Sequence, residues 1–323
     1  MEPSDVRSMC CRLRLDLREL RKKSGGFFGS GESTGSVGVV TINLPRIAYL
    51  AKDEADFFAR LDHMMDIAAR SLKIKRTTIG RLMEEGLYPY TKRYLGSFDN
   101  HFSTIGLVGM NEAGLNANWL RKDLTHEETQ DFAVRVLKHM RERLSDYQEQ
   151  YGDLYNLEAT PAESTSYRLA KHDKAQYPNI ITAHEGGTPY YTNSSHLPVG
   201  YTEDVFAALD VQDKLQTLYT SGTVFHTFLG EKLPDWRAAA ALVRKIAENY
   251  ELPYYIRCLP PIPSAQTTAI WLGSSSPAPS ADGKRRFTAA SPAITARCRT
   301  GTTAKVRNTR IERPIGRGQP QTV

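Results

Sequence analysis

A repeated alternation of apolar runs and amphipathic segments over residues 1–256 constrains the fold most. The β-branched run that begins at Val37 is typical of a buried strand, and Pro45 predicts its end. Residues 53–85 then carry apolar side chains at helical spacing. The run "STIGLVGMNEAG" predicts a short buried strand that leads into a glycine-containing loop. Strands that alternate with helices along a chain predict an α/β fold.

The later segments continue the pattern. Thr125 and Glu128 have the spacing of a capping box at the start of a helix that Gly152 should end. The run "YNLEATPAESTSYRLA" predicts a strand, a tight loop and a short helix, and "TVFHTFLG" and "PYYI" predict further strands. A helix is expected at "LPDWRAAAALVRKIAENYEL", with Pro234 near its start. The apolar stripes predicted to face the core are Phe57, Phe58, Leu61, Met64, Met65, Ala68 and Leu72 in the first helix, and Phe132, Val136, Met140 and Leu144 in the second.

The composition changes sharply near residue 256. Residues 257–323 hold eleven Lys and Arg but only two acidic residues, a formal charge of +9. Residues 1–256 hold 31 basic and 34 acidic residues, a charge of −3, so the net charge of +6 comes from the tail alone. The tail is rich in Ser, Pro, Ala, Thr and Arg and has no helical stripe. We therefore predict an α/β domain over 1–256 and a disordered or out-of-frame basic tail over 257–323.

Several classes of protein are disfavoured by the sequence. It contains no run of 18 apolar residues and no signal-peptide pattern, so we expect neither a membrane segment nor secretion. Four cysteines without a CxxC pair argue against a disulfide framework and against a closed zinc site. The expected compartment is the reducing cytoplasm.

The stretch "TPAEST" places hydroxyl side chains where a helix should begin after a strand. A helix N-terminus offers unpaired N–H groups and a partial positive charge, and Ser164 and Thr165 would add donors. This arrangement is suited to bind phosphate. Simple capping of the helix by Ser or Thr explains the same residues, so both interpretations stay open.

Two further stretches could carry chemistry. The run "HEGGTPYYTNSSHLPV" is dense in hydrogen-bonding groups and suits a polar ligand. It contains His184 and His196, but no acidic residue or cysteine stands at ligand spacing, so no metal is expected. Near the start of the chain, Cys10 and Cys11 are followed by Arg12, which would lower a thiol pKa. They are either buried small residues or include a working thiol.

Taken together, these stretches resemble the anaerobic (class III) ribonucleoside-triphosphate reductases, which are glycyl-radical enzymes. The matching runs are "SMCCRLRLDLREL", "STGSVGVVTINLPRIAYLAKDEADFF", "LYNLEATPAESTSYRLAKHD", "PYYTNSSHLPVGYTEDVFAALDVQDKLQTLYTSGTVFHTFLGE" and "LPYY". They extend over about residues 6–256 in the family's order. The resemblance implies a ten-stranded α/β barrel with the active site inside it.

The resemblance also implies roles for individual residues. The family pattern Met, any residue, Cys, Arg makes Cys11 the thiyl radical that removes the 3′ hydrogen of the ribose, so that the 2′ hydroxyl can leave as water. It makes Met9 a possible contact of the active-site loop. The "TPAEST" loop corresponds to the substrate's phosphate site. Ser36 stands where relatives place a polar residue, usually Asn, before the strand. The implied phosphate-binding residues are Thr160, Glu163, Ser164 and Thr165, and the implied polar contacts of the second loop are Asn193 and His196.

Cofactors and partners follow from the same resemblance. Intact members use a glycyl radical made by a radical-SAM activating enzyme, a structural zinc, and ATP or dNTP effectors. They reduce ribonucleoside triphosphates with formate or a thioredoxin-like reductant, and they are typically homodimers. In this chain Cys258 and Cys298 stand alone, and Gly316 lies in an unpatterned context. We therefore expect no cofactor in this chain. We expect a fragment that lacks the first barrel strands, is out of frame after about residue 256, and does not turn over as it stands.

Two other functions compete with this interpretation. A glycyl-radical lyase that acts on small acids or diols would share the barrel, although "TPAEST" and "VVTINLPRIA" favour the nucleotide branch. A nucleic-acid-binding protein would use the basic tail, but the tail contains only Trp271 and Phe287 as aromatic residues, which makes base stacking a poor explanation. We expect no specific nucleic-acid partner.

Overall fold

The computed structural model places every described residue in one compact unit within Met1–Ser274. The residues that the structure describes are 6–8, 14–16, 34–184, 186–198, 201–202, 204–221, 223, 225–228, 233–252 and 256–259. The strands are β1 (Val6–Ser8), β2 (Arg14–Asp16), β3 (Gly35–Asn43), β4 (His101–Val108), β5 (Leu154–Glu158), β6 (Phe225–Phe228) and β7 (Ile256–Leu259). The helices are α1 (Leu44–Leu50), α2 (Glu54–Glu84), α3 (Pro89–Leu95), α4 (Met110–Asn116), α5 (Glu127–Tyr151), α6 (Glu163–Gln176), α7 (Val205–Gln216) and α8 (Trp236–Asn249).

A parallel sheet in the order β3-β4-β5 organises this unit. Parallel neighbours require crossover connections, and α1 to α3 supply the first while α4 and α5 supply the second. Elsewhere β1 pairs antiparallel with β2, and β6 pairs parallel with β7. The predicted α/β class is confirmed, whereas closure into a ten-stranded barrel stays a prediction.

The end of β3 follows the prediction from Pro45. The strand runs to Asn43, and Pro45 occupies the first turn of α1, where its missing N–H costs no hydrogen bond. The side-chain oxygen of Asn43 accepts from the backbone N–H of Arg46 at 3.3 Å and so caps this helix.

The main hydrophobic core lies between one face of the sheet and helices α2 and α5. Ile105, Leu107 and Leu157 from the strands meet Leu61 of α2 and Val136 of α5, and all are fully buried. The residues of the two predicted apolar stripes form the part of this core that the helices contribute. The exceptions are Met64, which is 40% exposed, and Phe58, which is only partly buried.

The predicted capping box of α5 is wrong. The helix begins at Glu127 after His126, and no side chain caps that end. The Thr125 hydroxyl donates to Asp123 instead, and Glu128 forms an ion pair with Lys122 at 2.5 Å. The carboxylate of Asp123 therefore competes successfully for the hydroxyl. The predicted end at Gly152 is confirmed, since this residue has φ +68° and follows the last helical turn.

The segment after β4 also differs from the prediction. The expected loop is reduced to Gly109, because α4 begins directly at Met110. Gly109 has φ +76°, and a Cβ there would lie 2.4 Å from Cγ of Pro45. This close approach brings the end of β4 against the start of α1 and turns the chain tightly enough for a helix to follow.

A second apolar cluster lies in the C-terminal part of the unit. It contains Val205 and Leu209 of α7, Phe225 of β6, Ile246 of α8, and Leu252. Strand β6 occurs where it was predicted, and α8 is capped by Asp235, directly after Pro234. Strand β7 shares only Ile256 with the predicted strand "PYYI", whose first three residues lie outside the described residues. Strand β7 continues to Leu259, so the predicted boundary at residue 256 stays a prediction. Among the described residues, no helix is both long and apolar enough to cross a bilayer.

Candidate active site

One face of the sheet carries polar side chains instead of core residues. In the strand register Thr104 lies opposite Asn156, and Gly106 lies opposite Glu158. Directly opposite residues point to the same side of a sheet, and the intervening Ile105 and Leu157 point into the core. The polar side chains therefore share the face that does not pack on α2 and α5.

Four buried oxygens around β5 have no hydrogen-bond partner within the described chain. They are Asn156 Oδ1, Glu158 Oε2, Thr160 Oγ1 and Ser221 Oγ. Ser221 adjoins the strand, because it forms a parallel bridge with Glu158 and its carbonyl accepts from the N–H of Ala159 at 3.3 Å. Buried polar atoms are normally paired, so a cluster of unpaired ones indicates a surface that is arranged for a polar ligand.

Glu158 is the titratable group of this face. Its side chain is almost fully buried, and burial raises its pKa to about 7. A carboxyl group with this pKa can hold or release a proton near neutral pH, which is the property required of an acid–base group. Glu158 was not among the residues predicted from the sequence, although polar residues at the alternate positions Asn156, Glu158 and Thr160 were a period-two signal.

The glycine of β4 makes room for Thr160. A Cβ at Gly106 would lie 1.7 Å from Thr160 Oγ1 and 3.0 Å from the carbonyl oxygen of Glu158. Only a residue without a side chain lets the threonine turn in beside the sheet. Thr160 is thus a buried residue at the carboxyl end of β5, next to the start of α6.

Helix α6 presents its N-terminus at this end of the sheet. It begins at Glu163 after the N-cap residue Ala162, which has no side chain that could cap the helix. Ser164 and Thr165 are exposed in the first turn, while nothing is described of the Glu163 side chain. Capping by Ser or Thr, the alternative explanation of "TPAEST", is therefore wrong. The hydroxyls remain accessible beside the positive end of the helix dipole.

The loop 191–196 reaches the same place. The side-chain oxygen of Asn193 accepts from the N–H of Ala162 at 3.2 Å, and Asn193 also forms a bridge with Val108 at the end of β4. The two stretches that the sequence predicted separately, "TPAEST" and "YYTNSSHLPV", are thus joined at the carboxyl edge of the sheet. This edge is where parallel α/β sheets usually bind ligands.

His196 and Ser36 are placed differently. Nδ1 of His196 lies 2.9 Å from Ser194 Oγ and 2.9 Å from the carbonyl oxygen of Asn193, so this nitrogen bonds within its own loop. Ser36 lies at the amino end of β3 and contacts Thr104 Oγ1 at 2.9 Å. Thr104 belongs to the polar face of the sheet, opposite Asn156. Their predicted roles as substrate contacts stay predictions.

Met9 and Cys11 lie outside the described residues, between β1 and β2 in the sequence. The thiyl role of Cys11 therefore stays a prediction. Within the described ranges, no three His, Cys, Asp or Glu side chains are grouped as metal ligands. The part of the chain that the structure describes thus contains no residue set that fits the zinc of the resembled family.

Comparisons with known proteins agree on one family. The family model described as anaerobic ribonucleoside-triphosphate reductase matches residues 1–259. The anaerobic ribonucleoside-triphosphate reductase of Haemophilus influenzae is 27% identical over 224 residues, which cover 61% of this chain and 31% of that protein. The enzyme of Enterobacteria phage T4 is 25% identical over 225 residues, covering 64% and 34%. This chain therefore spans about a third of the length of these relatives.

The solved structures give the same result for the fold. The anaerobic ribonucleotide reductase of Thermotoga maritima with MES in the active site superposes with a TM-score of 0.61 at 25% identity, over 70% of this chain and 37% of that one. The same enzyme with glycerol in the active site gives 0.60 at 24% identity, over 70% and 36%. Sheet, helices and matched range together support one assignment: this chain belongs to the anaerobic ribonucleoside-triphosphate reductase family.

Proposed function

We propose that this chain is part of an enzyme that reduces ribonucleoside triphosphates to deoxyribonucleotides, and that it carries the substrate site. Relatives of this family include an anaerobic ribonucleotide reductase from Thermotoga maritima in complex with dATP and CTP. By this proposal β3, β4 and β5 are neighbouring strands of a ten-stranded barrel, and their polar face lines its interior. The glycyl-radical lyase alternative would use the same face for a small acid.

One observation carries the proposal: the N-terminus of α6, whose N-cap residue Ala162 offers no capping side chain, lies beside buried oxygens on β5 that have no partner among the described residues. The helix end attracts phosphate through its dipole and N–H groups. The hydroxyls of Ser164 and Thr165 add donors. The carboxyl of Glu158 and the hydroxyl of Thr160 are then available for the hydroxyls of the sugar.

The chemistry assigned to the chain's own residues is limited. Cys11 is the thiol that, as a radical, would take the 3′ hydrogen of the ribose, and loss of the 2′ hydroxyl as water requires a proton nearby. Glu158, with its pKa near 7, is suited to hold that proton. A glycyl radical made by a radical-SAM activase would supply the hydrogen-atom abstraction that converts the Cys11 thiol to its radical. We also propose formate or a thioredoxin-like protein as reductant and a homodimer as the assembled state.

Equilibrium binding to the full chain tests the proposed site. We expect ATP, CTP, GTP or UTP to bind and a panel of small carboxylates not to bind. The variant Ser164→Asp should weaken triphosphate binding by about tenfold or more, because its charge repels the phosphates. An acidic residue in the first turn stabilises a helix, so unfolding would not explain the loss.

The matched control is Thr78→Asp on the exposed face of α2, which adds the same charge far from the site. It should leave triphosphate binding unchanged. Carboxylates that bind as tightly as triphosphates would favour a lyase. An absence of triphosphate binding would refute the proposed function.

A further inference from the structure

The fully buried carboxylate of Asp173, in the second half of α6, is used by neither the predicted nor the proposed chemistry. Its side chain has no exposed area. Oδ2 accepts from the Tyr191 hydroxyl at 2.7 Å and from Asn43 Nδ2 at 2.8 Å, and Oδ1 accepts from Arg46 Nε at 2.7 Å. A second guanidinium nitrogen of Arg46 also contacts Oδ1. A buried charge is tolerated only with such pairing, so these four side chains form one unit.

The three donors belong to separate segments of the site. Asn43 is the last residue of β3, Arg46 lies in the first turn of α1, and Tyr191 opens the loop 191–196. Asp173 therefore fixes the body of α6 to the carboxyl edge of the sheet. Burial, and then the bond to Asp173, raises the pKa of Tyr191 well above its usual range, so this hydroxyl stays a donor at any physiological pH.

The loop is attached to α6 at two further points nearer the N-terminus. The Ser166 hydroxyl donates to the Tyr191 carbonyl oxygen, and its oxygen lies 3.0 Å from the Tyr191 backbone nitrogen. Asn193 accepts from the N–H of Ala162, as described above. Loop and helix thus run side by side from Asp173 to Ala162, with bonds at both ends and near the middle.

A second buried carboxylate holds the loop from the other side. Glu112 of α4 accepts from the backbone N–H of Thr192 at 2.9 Å and from its hydroxyl at 2.7 Å. The backbone N–H of Gly109 donates to the Thr192 carbonyl oxygen at 2.8 Å. The loop is therefore fixed to the end of β4, and any displacement of α6 along the loop must break bonds to Asp173, Ser166 or Asn193.

We propose that Asp173 is a positioning residue of the nucleotide site, which acts through Tyr191 to hold the N-terminal turn of α6 in place for the triphosphate. This inference rests on the proposed function. The reason is geometric: Asp173 lies more than two helical turns from Ser164 and Thr165, the residues that would meet the phosphates. It controls the direction of the helix axis and with it the position of Ser164 and Thr165. A phosphate site made of a helix end depends on that position more than on any one side chain.

Tyr191→Phe is the variant that tests this inference. It removes only the hydroxyl that reaches Asp173 and keeps the buried ring. We expect the affinity for ATP to fall by about fivefold or more, because a hydrogen bond to a charged group is lost. The affinity for adenosine, which lacks phosphates, should stay within about twofold. The ratio of the two affinities is a readout that a general loss of stability does not change.

Tyr147→Phe is the matched control. The Tyr147 hydroxyl also donates to a carboxylate, that of Asp66, but it lies between α5 and α2 on the core side of the sheet. This variant should lose stability and keep the wild-type affinity ratio. Asp173→Asn, which removes the ion pair with Arg46 and keeps the shape, should reproduce the effect of Tyr191→Phe.

The outcomes separate the two proposals. A wild-type chain that binds no ATP overturns the proposed function and this inference together. A wild-type chain that binds ATP, with an unchanged ratio in Tyr191→Phe, overturns the inference alone. An equal fall of the ratio in Tyr147→Phe also overturns it, because the effect would then be one of general stability.

Discussion

Single residues of the site are maintained at a cost in stability, and Glu158 is the clearest case. Its carboxyl is buried, and Oε2 has no partner among the described residues, so the folded state favours the protonated form and the pKa rises to about 7. Below pH 4.5 the group is protonated in the folded and the unfolded chain. As pH rises from there through 7, only the unfolded chain ionises freely, so stability is lost.

The first residue-scale prediction concerns Glu158→Gln. A pKa raised from 4.5 to about 7 corresponds to about 3 kcal/mol. The variant should therefore be more stable than the wild type at pH 8, by up to that amount, and nearly equal to it at about pH 3.5, where the group is protonated in both states. Urea unfolding of both chains at the two pH values measures this. Glu149→Gln on the exposed face of α5 should show no such difference, and a gain that is equal at about pH 3.5 and at pH 8 would contradict the prediction.

Residues of the site could be predicted from the sequence only where the signal came from their neighbours in the chain. The exposed hydroxyls of Ser164 and Thr165 were predicted, because a strand, a turn and a helix start are local signals. Glu158 and Asp173 were missed, because their character arises from burial among distant segments. The capping box failed for a local reason instead, since the carboxylate of Asp123, two residues before Thr125, accepts from the hydroxyl of Thr125.

At the scale of elements, the pairing of β4 with β5 shows how the sheet accommodates its site. Glu158 lies opposite Gly106, and the space left by the glycine contains the Thr160 side chain.

Helix and strand positions were largely predicted, because their periodicities are strong. The helix α4 was missed, because the glycines of "GMNEAG" suggested a loop, whereas Gly109 only turns the chain and Gly114 packs inside the helix against Thr129 and the Lys122 carbonyl.

The element-scale prediction is that Gly106→Ala destabilises the chain by about 1–3 kcal/mol, as overpacking does. The added methyl would meet Thr160 Oγ1, so Thr160→Ala in the same chain should restore part of the loss. The double-mutant cycle should give a coupling of about 0.5 kcal/mol or more. Gly80→Ala in α2, where a Cβ meets nothing within 4 Å, should be neutral or stabilising. Additive effects of Gly106→Ala and Thr160→Ala would show that the two positions do not share space.

At the scale of the whole molecule, the family match and the described core occupy the same range. The match covers residues 1–259, and the apolar clusters lie between Ile42 and Leu252. The basic residues of the tail lie almost entirely beyond this range. The division near residue 256 stays a prediction, which sequence alone permits because charge and composition need no tertiary context. The closure of the barrel could not be predicted in detail, because it depends on strands paired across long separations.

The whole-molecule prediction is that a chain ending at Leu259 keeps the thermal midpoint and the ATP affinity of the full chain. Strand β7 and its pairing with β6 are retained in it, and the apolar clusters are untouched.

The tail should also give the full chain an affinity for duplex DNA without sequence preference, because residues 257–323 carry a charge of +9. This affinity should fall steeply between 50 and 200 mM salt. The shortened chain should lose this DNA binding. Loss of ATP affinity on shortening would instead assign the tail to the nucleotide site, and DNA binding that survives it would place a nucleic-acid surface on the α/β unit itself.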